Sequence, residues 1–137
     1  MVKTIDMQEM RYLNLFEQTT GVRTRFCLRY NENIIFCVPK PLIPRAIGER
    51  GRNLRRLSEI LGKRIRIIAA PRGLHDSATF IKAVISPLTM KNFQIDSDEI
   101  IVSAGNNKAA LIGRNKRRLI EMQKIVKDFF GKDFRIA

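Results

Sequence analysis

The chain has 137 residues, with 26 Lys and Arg against 13 Asp and Glu, a net charge of +13, and 45% hydrophobic residues. That apolar content supports a packed core and excludes a disordered basic tail, and the length suits one ordinary domain or two very small ones. No run approaches the roughly 18 apolar residues of a membrane span, and Met1-Val2-Lys3-Thr4-Ile5-Asp6 lacks the apolar stretch of a signal peptide, so a cytoplasmic protein with a polyanionic partner and no membrane is expected.

The first element reads as a helix. Asp6 and Glu9 resemble a capping box, Met7, Met10, Leu13 and Phe16 follow at helical spacing, and Gly21 suits a left-handed cap. In Val22 to Tyr30, Phe26, Leu28 and Tyr30 alternate with Arg25, Cys27 and Arg29, the period of a half-buried strand. With Asn31-Glu32-Asn33 as the turn and Ile34 to Val38 as the second strand, a hairpin about Glu32 pairs Tyr30 with Ile34, Leu28 with Phe36 and Phe26 with Val38. That register sets Cys27 opposite Cys37, where a cross-strand disulfide is conceivable. Without a secretion signal, two packed free thiols are the expected state.

Pro39-Lys40-Pro41 ends the strand, Pro44 opens a short helix to Ile47, and Gly48-Glu49-Arg50-Gly51 interrupts it. A helix from Arg52 carries Leu54, Leu57, Ile60 and Leu61 on one face and Arg52, Arg55, Arg56 and Glu59 on the other. Gly62 closes it, and Lys63 to Ile68 is a strand. After a turn-like linker, Asp76 caps a helix with Phe80, Ile81, Val84 and Ile85 that Ser86-Pro87 ends. Lys91 to Ile95 and Ile100 to Ser103 form a hairpin over Asp96-Ser97-Asp98-Glu99. Lys108 to Ile112 is a short helix, and a long one carries Leu119, Met122, Ile125, Val126 and Phe129 to Gly131, before a last strand at Phe134-Arg135-Ile136.

The order helix, strand, strand, helix, helix, strand thus occurs twice. Ile34-Ile35 matches Ile100-Ile101 at an offset of 66, Ile47-Gly48 matches Ile112-Gly113 at 65, and Gly62 matches Gly131 at 69. The last step adds about one helical turn and so keeps the buried face. The expected fold is α+β: a module over 1–70, a linker over 71–75 and a second module over 76–137, each with a three-stranded sheet on helices. Residues 1–70 hold 14 basic and 6 acidic residues and 71–137 hold 12 and 7, so both halves are basic.

In both halves a short helix meets a tight turn and then a long helix. Glycine there permits positive φ and the close approach of another backbone, and the amides opening the long helix favour an anion. A single G-x-x-G is more often a plain helix-helix turn. Its repetition at equivalent places in a chain of this charge favours binding.

The stretch Ile47-Gly48-Glu49-Arg50-Gly51-Arg52-Asn53-Leu54, after a hairpin and before a Gly-Lys strand, resembles the G-x-x-G loop of a KH domain. The helix-first order resembles the type II form. Two such modules, the second opened by Asp76 to Lys82 and carrying Ala110-Leu111-Ile112-Gly113-Arg114-Asn115, are similar to the archaeal NusA-like family of transcription termination/antitermination factors. The resemblance covers essentially the whole chain. It implies a monomeric, non-enzymatic protein without cofactor or metal that binds single-stranded RNA in transcription, with RNA polymerase or other transcription factors as further partners. On this resemblance no part of this chain is expected to correspond to the polymerase-binding and S1 domains of the bacterial relatives. The implied RNA-binding residues are Ile47, Gly48, Glu49, Arg50, Gly51 and Arg52 in the first loop, and Ile112, Gly113, Arg114, Asn115, Lys116 and Arg117 in the second.

Two positions depart from the family pattern. Glu49 places an acid beside phosphate, and Lys116 replaces the closing glycine. Lys116 either obstructs backbone approach or joins Arg114, Arg117 and Arg118 in replacing it with charge. Ile47 and Ile112 are groove floor, plain core, or both. Arg23, Arg25 and Arg29 form a stripe that could meet RNA or solvent, and Tyr12 and Tyr30 are the candidates for base stacking.

Other classes have weaker support. Two cysteines and one histidine, His75, fall short of the about four ligands of structural zinc. Asp96, Asp98 and Glu99 could serve a magnesium nuclease, but they sit where acids favour a turn. A basic scaffold docking on RNA polymerase or the ribosome without reading sequence is the main alternative to RNA readout, and duplex DNA binding by the helix-turn-helix outline is another.

Overall fold

The structure, a computed structural model, describes residues 6–137. The reading of the leading residues as free of a signal peptide falls outside that range. The described chain forms two compact units that divide between Ala70 and Pro71. Each follows the order α-β-β-α-α-β with one three-stranded sheet, so the fold is α+β with two tandem KH-like modules of the type II order.

In the first unit, helix α1 spans Met7–Thr20. The Asp6 carboxylate accepts the Glu9 amide at 2.7 Å, and Gly21 closes the helix at φ 72°. Its inward face is Glu9, Phe16 and Thr20, with Tyr12, Leu13 and Leu15 partly covered. The expected stripe fails at its start: Met7 is 85% exposed and Met10 is 53% exposed. Residues spaced by three step back about 60° each around a helix, so Met7 stands opposite Phe16. Phe16 stacks on Phe36 of the sheet with ring centroids 4.3 Å apart.

Strands β1 (Phe26–Tyr30), β2 (Asn33–Val38) and β3 (Arg64–Ala69) form the sheet, with β2 central, antiparallel to β1 and parallel to β3. The hairpin register differs from the expected one by one residue: Tyr30 faces Asn33, Leu28 faces Ile35, and Cys27 faces Phe36. Asn31 and Glu32 alone make the turn, both at positive φ (51° and 63°), as a two-residue hairpin loop that matches strand twist requires. A slip of one exchanges faces. Cys27 therefore joins Ile34, Phe36 and Val38 in the helix-side core, while Leu28, Tyr30, Ile35 and Cys37 are buried on the other face. The two thiols point to opposite sides, which removes the cross-strand disulfide, and neither forms one.

Helix α2 (Ile43–Ile47) and helix α3 (Arg52–Leu61) complete the unit. Ala46 and Leu57 are fully buried, α1 packs on α3, and α2 lies against the edge strand β3. Ile60, expected on the buried face, is 52% exposed, because it falls in the last turn of a ten-residue helix.

The second unit has α4 (Ser77–Ile85), β4 (Asn92–Ile95), β5 (Glu99–Ser103), α5 (Lys108–Ile112), α6 (Arg117–Phe130) and β6 (Asp133–Ile136). The sheet repeats the first, with β5 central. Ile100 lies beside Phe134 as Ile34 lies beside Ile65. Helix α6 has 14 residues against ten in α3. The added turn brings Phe129 and Phe130 against Phe80, at centroid distances of 4.9 and 6.0 Å, and leaves Ile125, the counterpart of Ile60, buried. Asp76 precedes α4 without capping it. Its carboxylate accepts the Arg72 amide at 3.0 Å and the Arg72 Nε at 3.1 Å, which folds the connecting segment on itself.

Candidate nucleic-acid interface

The two glycine turns have nearly the same backbone. Gly48 (φ 81°, ψ 168°) and Gly113 (φ 76°, ψ 170°) end the short helices. Arg50 (φ 55°, ψ 29°) and Asn115 (φ 56°, ψ 29°) are left-handed, as are Gly51 (φ 72°, ψ 21°) and Lys116 (φ 62°, ψ 22°), which open the long helices. The Gly51 amide donates to the Gly48 carbonyl and the Lys116 amide to the Gly113 carbonyl, each at 3.1 Å. The departure at Lys116 therefore leaves the turn's shape intact, although a non-glycine residue at positive φ is disfavoured.

The two glycines of the first turn serve different ends. A Cβ on Gly48 would stand 2.9 Å from Asn53 Nδ2, and one on Gly113 would stand 2.9 Å from Arg118 Cγ. A Cβ on Gly51 would meet nothing within 4 Å. The first glycine of each turn is thus fixed by internal packing, and the space in front of Gly51 is open.

Neither α3 nor α6 has a side-chain cap, in contrast to α1 with Asp6. The first amide of each, on Arg52 and Arg117, donates to the Glu49 and Arg114 carbonyls of the turn, and the helix dipole places partial positive charge at each of these N-termini. Around the first turn, Glu49, Arg50, Arg52 and Arg55 line an open depression of about 260 Å³. Around the second, Arg114, Asn115, Lys116 and Arg117 are all exposed. Ile47 and Ile112, one residue before each turn, are half-buried, so each has a covered side and an accessible one.

Three side chains hold the turns in place, and two of them, Asn53 and Arg118, occupy equivalent positions in the repeat. Asn53 Nδ2 donates to the Arg45 carbonyl at 3.4 Å, and Arg118 Nη1 donates to the equivalent Ala110 carbonyl at 3.1 Å. Arg55 Nη1 donates to the Arg50 carbonyl at 2.9 Å, a bond that Ile120, its counterpart, cannot make. Arg55 and Arg118 read from sequence as general charge. Arg118, like Asn53, stands five residues after the first glycine of its turn, whereas Arg55 has no counterpart in the second copy and no sequence signal marks it.

Other candidate residues are occupied. Arg23 and Arg25 precede β1 and do not form a strand face with Arg29. The Arg29 guanidinium lies 3.6 Å from the Asp6 carboxylate and 5.9 Å from the centre of the Tyr12 ring. Tyr30 is buried, so neither tyrosine presents an open face for a base. In the acidic turn, Lys132 Nζ donates to the Asp96 and Ser97 carbonyls at 3.1 and 2.6 Å, and Glu99 pairs with Arg135 at 3.4 Å. Among the described residues no His, Cys, Asp and Glu group is arranged to hold a metal, and no helix is long and apolar enough to cross a membrane.

No protein-family model matches the chain. Over 88 residues it is 27% identical to the probable transcription termination protein NusA of Methanococcus vannielii, an alignment that covers 64% of this chain and 49% of the relative. The chain therefore spans about half the length of the curated relative it matches. Among solved structures it is similar to the crystal structure of APE1850, with a TM-score of 0.67 and 25% identity over 97% of this chain and 100% of that one. These likenesses support a distant NusA-like relation.

Proposed function

We propose that the chain is a non-catalytic, single-stranded RNA-binding protein with a NusA-like part in transcription termination or antitermination. Its modules, 1–70 and 76–137 joined by 71–75, hold the sugar-phosphate backbone at the turns Gly48 to Arg52 and Gly113 to Arg117. Bases lie in the adjoining grooves on Ile47 and Ile112. The observation that carries this reading is the repeated turn: the same backbone path occurs twice before uncapped helices in a chain of net charge +13. A positive helix end suits a phosphate, and a half-covered apolar side chain beside it suits a base. The likeness to a probable NusA supports a part in transcription, and RNA polymerase or other transcription factors are the further partners proposed.

Selection of bound RNA from a random pool at moderate salt tests this. An enriched short single-stranded motif is the expected result. A steep salt dependence with no enriched motif marks a non-specific scaffold instead. Stronger competition by duplex DNA than by single-stranded RNA would overturn the reading.

A further inference from the structure

We infer that the two turns grip RNA by different means: the first by close backbone contact at Gly51, the second by the side-chain charge of Arg114 and Lys116. This rests on the RNA-binding reading above and assigns each turn its own part in it.

Paired positions on one backbone carry the inference. Where the first turn has Glu49, the second has Arg114, and where the first has Gly51, the second has Lys116. Gly51 and Lys116 have the same left-handed dihedrals, and the space before Gly51 is empty. Glycine at 51 is therefore not imposed by packing inside the unit, and the equivalent position tolerates lysine. What glycine supplies at 51 is an uncovered backbone at the mouth of α3. The first turn is also braced, since Arg55 holds the Arg50 carbonyl, and a fixed backbone surface loses little freedom on contact. Its net charge is low because Glu49 offsets one of its arginines.

The second turn differs on these counts. Lys116 takes the place of the open glycine, Ile120 stands where Arg55 braces the first turn, leaving the Arg118 bond to the Ala110 carbonyl as its brace, and Arg114, Lys116 and Arg117 are exposed. Exposed cations on long side chains bind phosphate through charge, and their contribution falls steeply with salt. The first turn is accordingly the less salt-sensitive contact and the more demanding of backbone geometry, while the second supplies attraction from any single-stranded polyanion.

The test measures binding of a fluorescent, unstructured uridine oligomer, long enough to reach both modules, to the full chain across a salt series. Gly51→Lys adds a positive charge and leaves the turn's dihedrals as Lys116 has them, yet binding weakens about tenfold with the salt slope not reduced. Gly51→Asn, uncharged and tolerant of positive φ, gives a similar loss. The double substitution Arg114→Gln/Lys116→Gln lowers the salt slope by about 1.4, from roughly 0.7 per single-strand phosphate contact. Circular dichroism reports whether each variant is folded. A folded Gly51 variant that binds as tightly as the parent overturns the inference, as does an unchanged slope in the double variant. Should neither Gly51 variant fold, the slope decides alone. If the parent chain binds no RNA even at low salt, the RNA-binding reading itself fails, a separate and recognisable result.

Discussion

The amide of Asn53 stands 2.9 Å from where a Cβ on Gly48 would sit, closer than a carbon substituent can be accommodated. That amide also donates to the Arg45 carbonyl, so it cannot withdraw without releasing the end of α2. Gly48→Ala therefore combines positive-φ strain with a displaced brace and is expected to destabilise the fold by about 2–4 kcal/mol. Gly51→Ala has positive φ but open space, and should cost only about 1–2 kcal/mol. Urea unfolding of the two variants separates them, and equal losses would contradict the packing described.

The hairpin register predicts the behaviour of the thiols. Cys27 and Cys37 lie on opposite faces of one sheet, 1% and 0% exposed. Both should resist an alkylating reagent in the folded protein, and both should react once the chain is unfolded. Reductant should change neither the mass nor the electrophoretic mobility. A disulfide detected by mass spectrometry in freshly purified protein would restore the alternative register.

Element order, the repeat and the two turns follow from patterns visible in the residues, because glycine punctuation and apolar period are local properties. What the pattern hides is rotation and register. The Met7, Met10, Leu13, Phe16 series looks like a stripe, but its spacing of three walks half-way round the helix, so only Phe16 is fully buried and Met7 faces solvent. The hairpin slip turned on whether Asn33 belongs to the turn or the strand, and the twist preference of two-residue loops decided it. Lys116 was ambiguous because residue type shows the side chain and not the backbone path. The structure shows the path kept and the surface changed. The bracing bonds of Asn53, Arg55 and Arg118 depend on how far the short helix lies from the long one, which no one-dimensional pattern carries.

The connecting segment gives a pH prediction. The Arg72 amide and then its guanidinium hold the partly covered Asp76 carboxyl below its ordinary value of 3.8. A depressed folded value means that the ionised form supports the fold. That support is full above the ordinary value and is lost as pH falls through the lower folded one. Asp76→Asn should therefore lower the unfolding midpoint at pH 7, and the difference from the parent should narrow as pH falls below the ordinary carboxylate range. A difference that persists unchanged into acid would mean that the carboxylate is not the group responsible.

Groove and core make separable demands on the isoleucines before the turns. Leu57, on the inner face of α3, is fully buried, and Leu57→Ala should destabilise the first unit by about 2–5 kcal/mol. Ile47 is half-buried, with one side against the unit and one toward solvent. Ile47→Ala loses only part of a side chain's burial, about 1 kcal/mol. If its open side floors a base-binding groove, the same substitution should weaken RNA binding several-fold at a temperature where the variant is fully folded, and Ile112→Ala should do likewise. The two readouts must come from one preparation, with unfolding by denaturant and binding by fluorescence anisotropy. Weakened binding in proportion to lost stability would make both residues plain core, whereas a binding loss that exceeds the stability loss marks them as the surface on which a base rests.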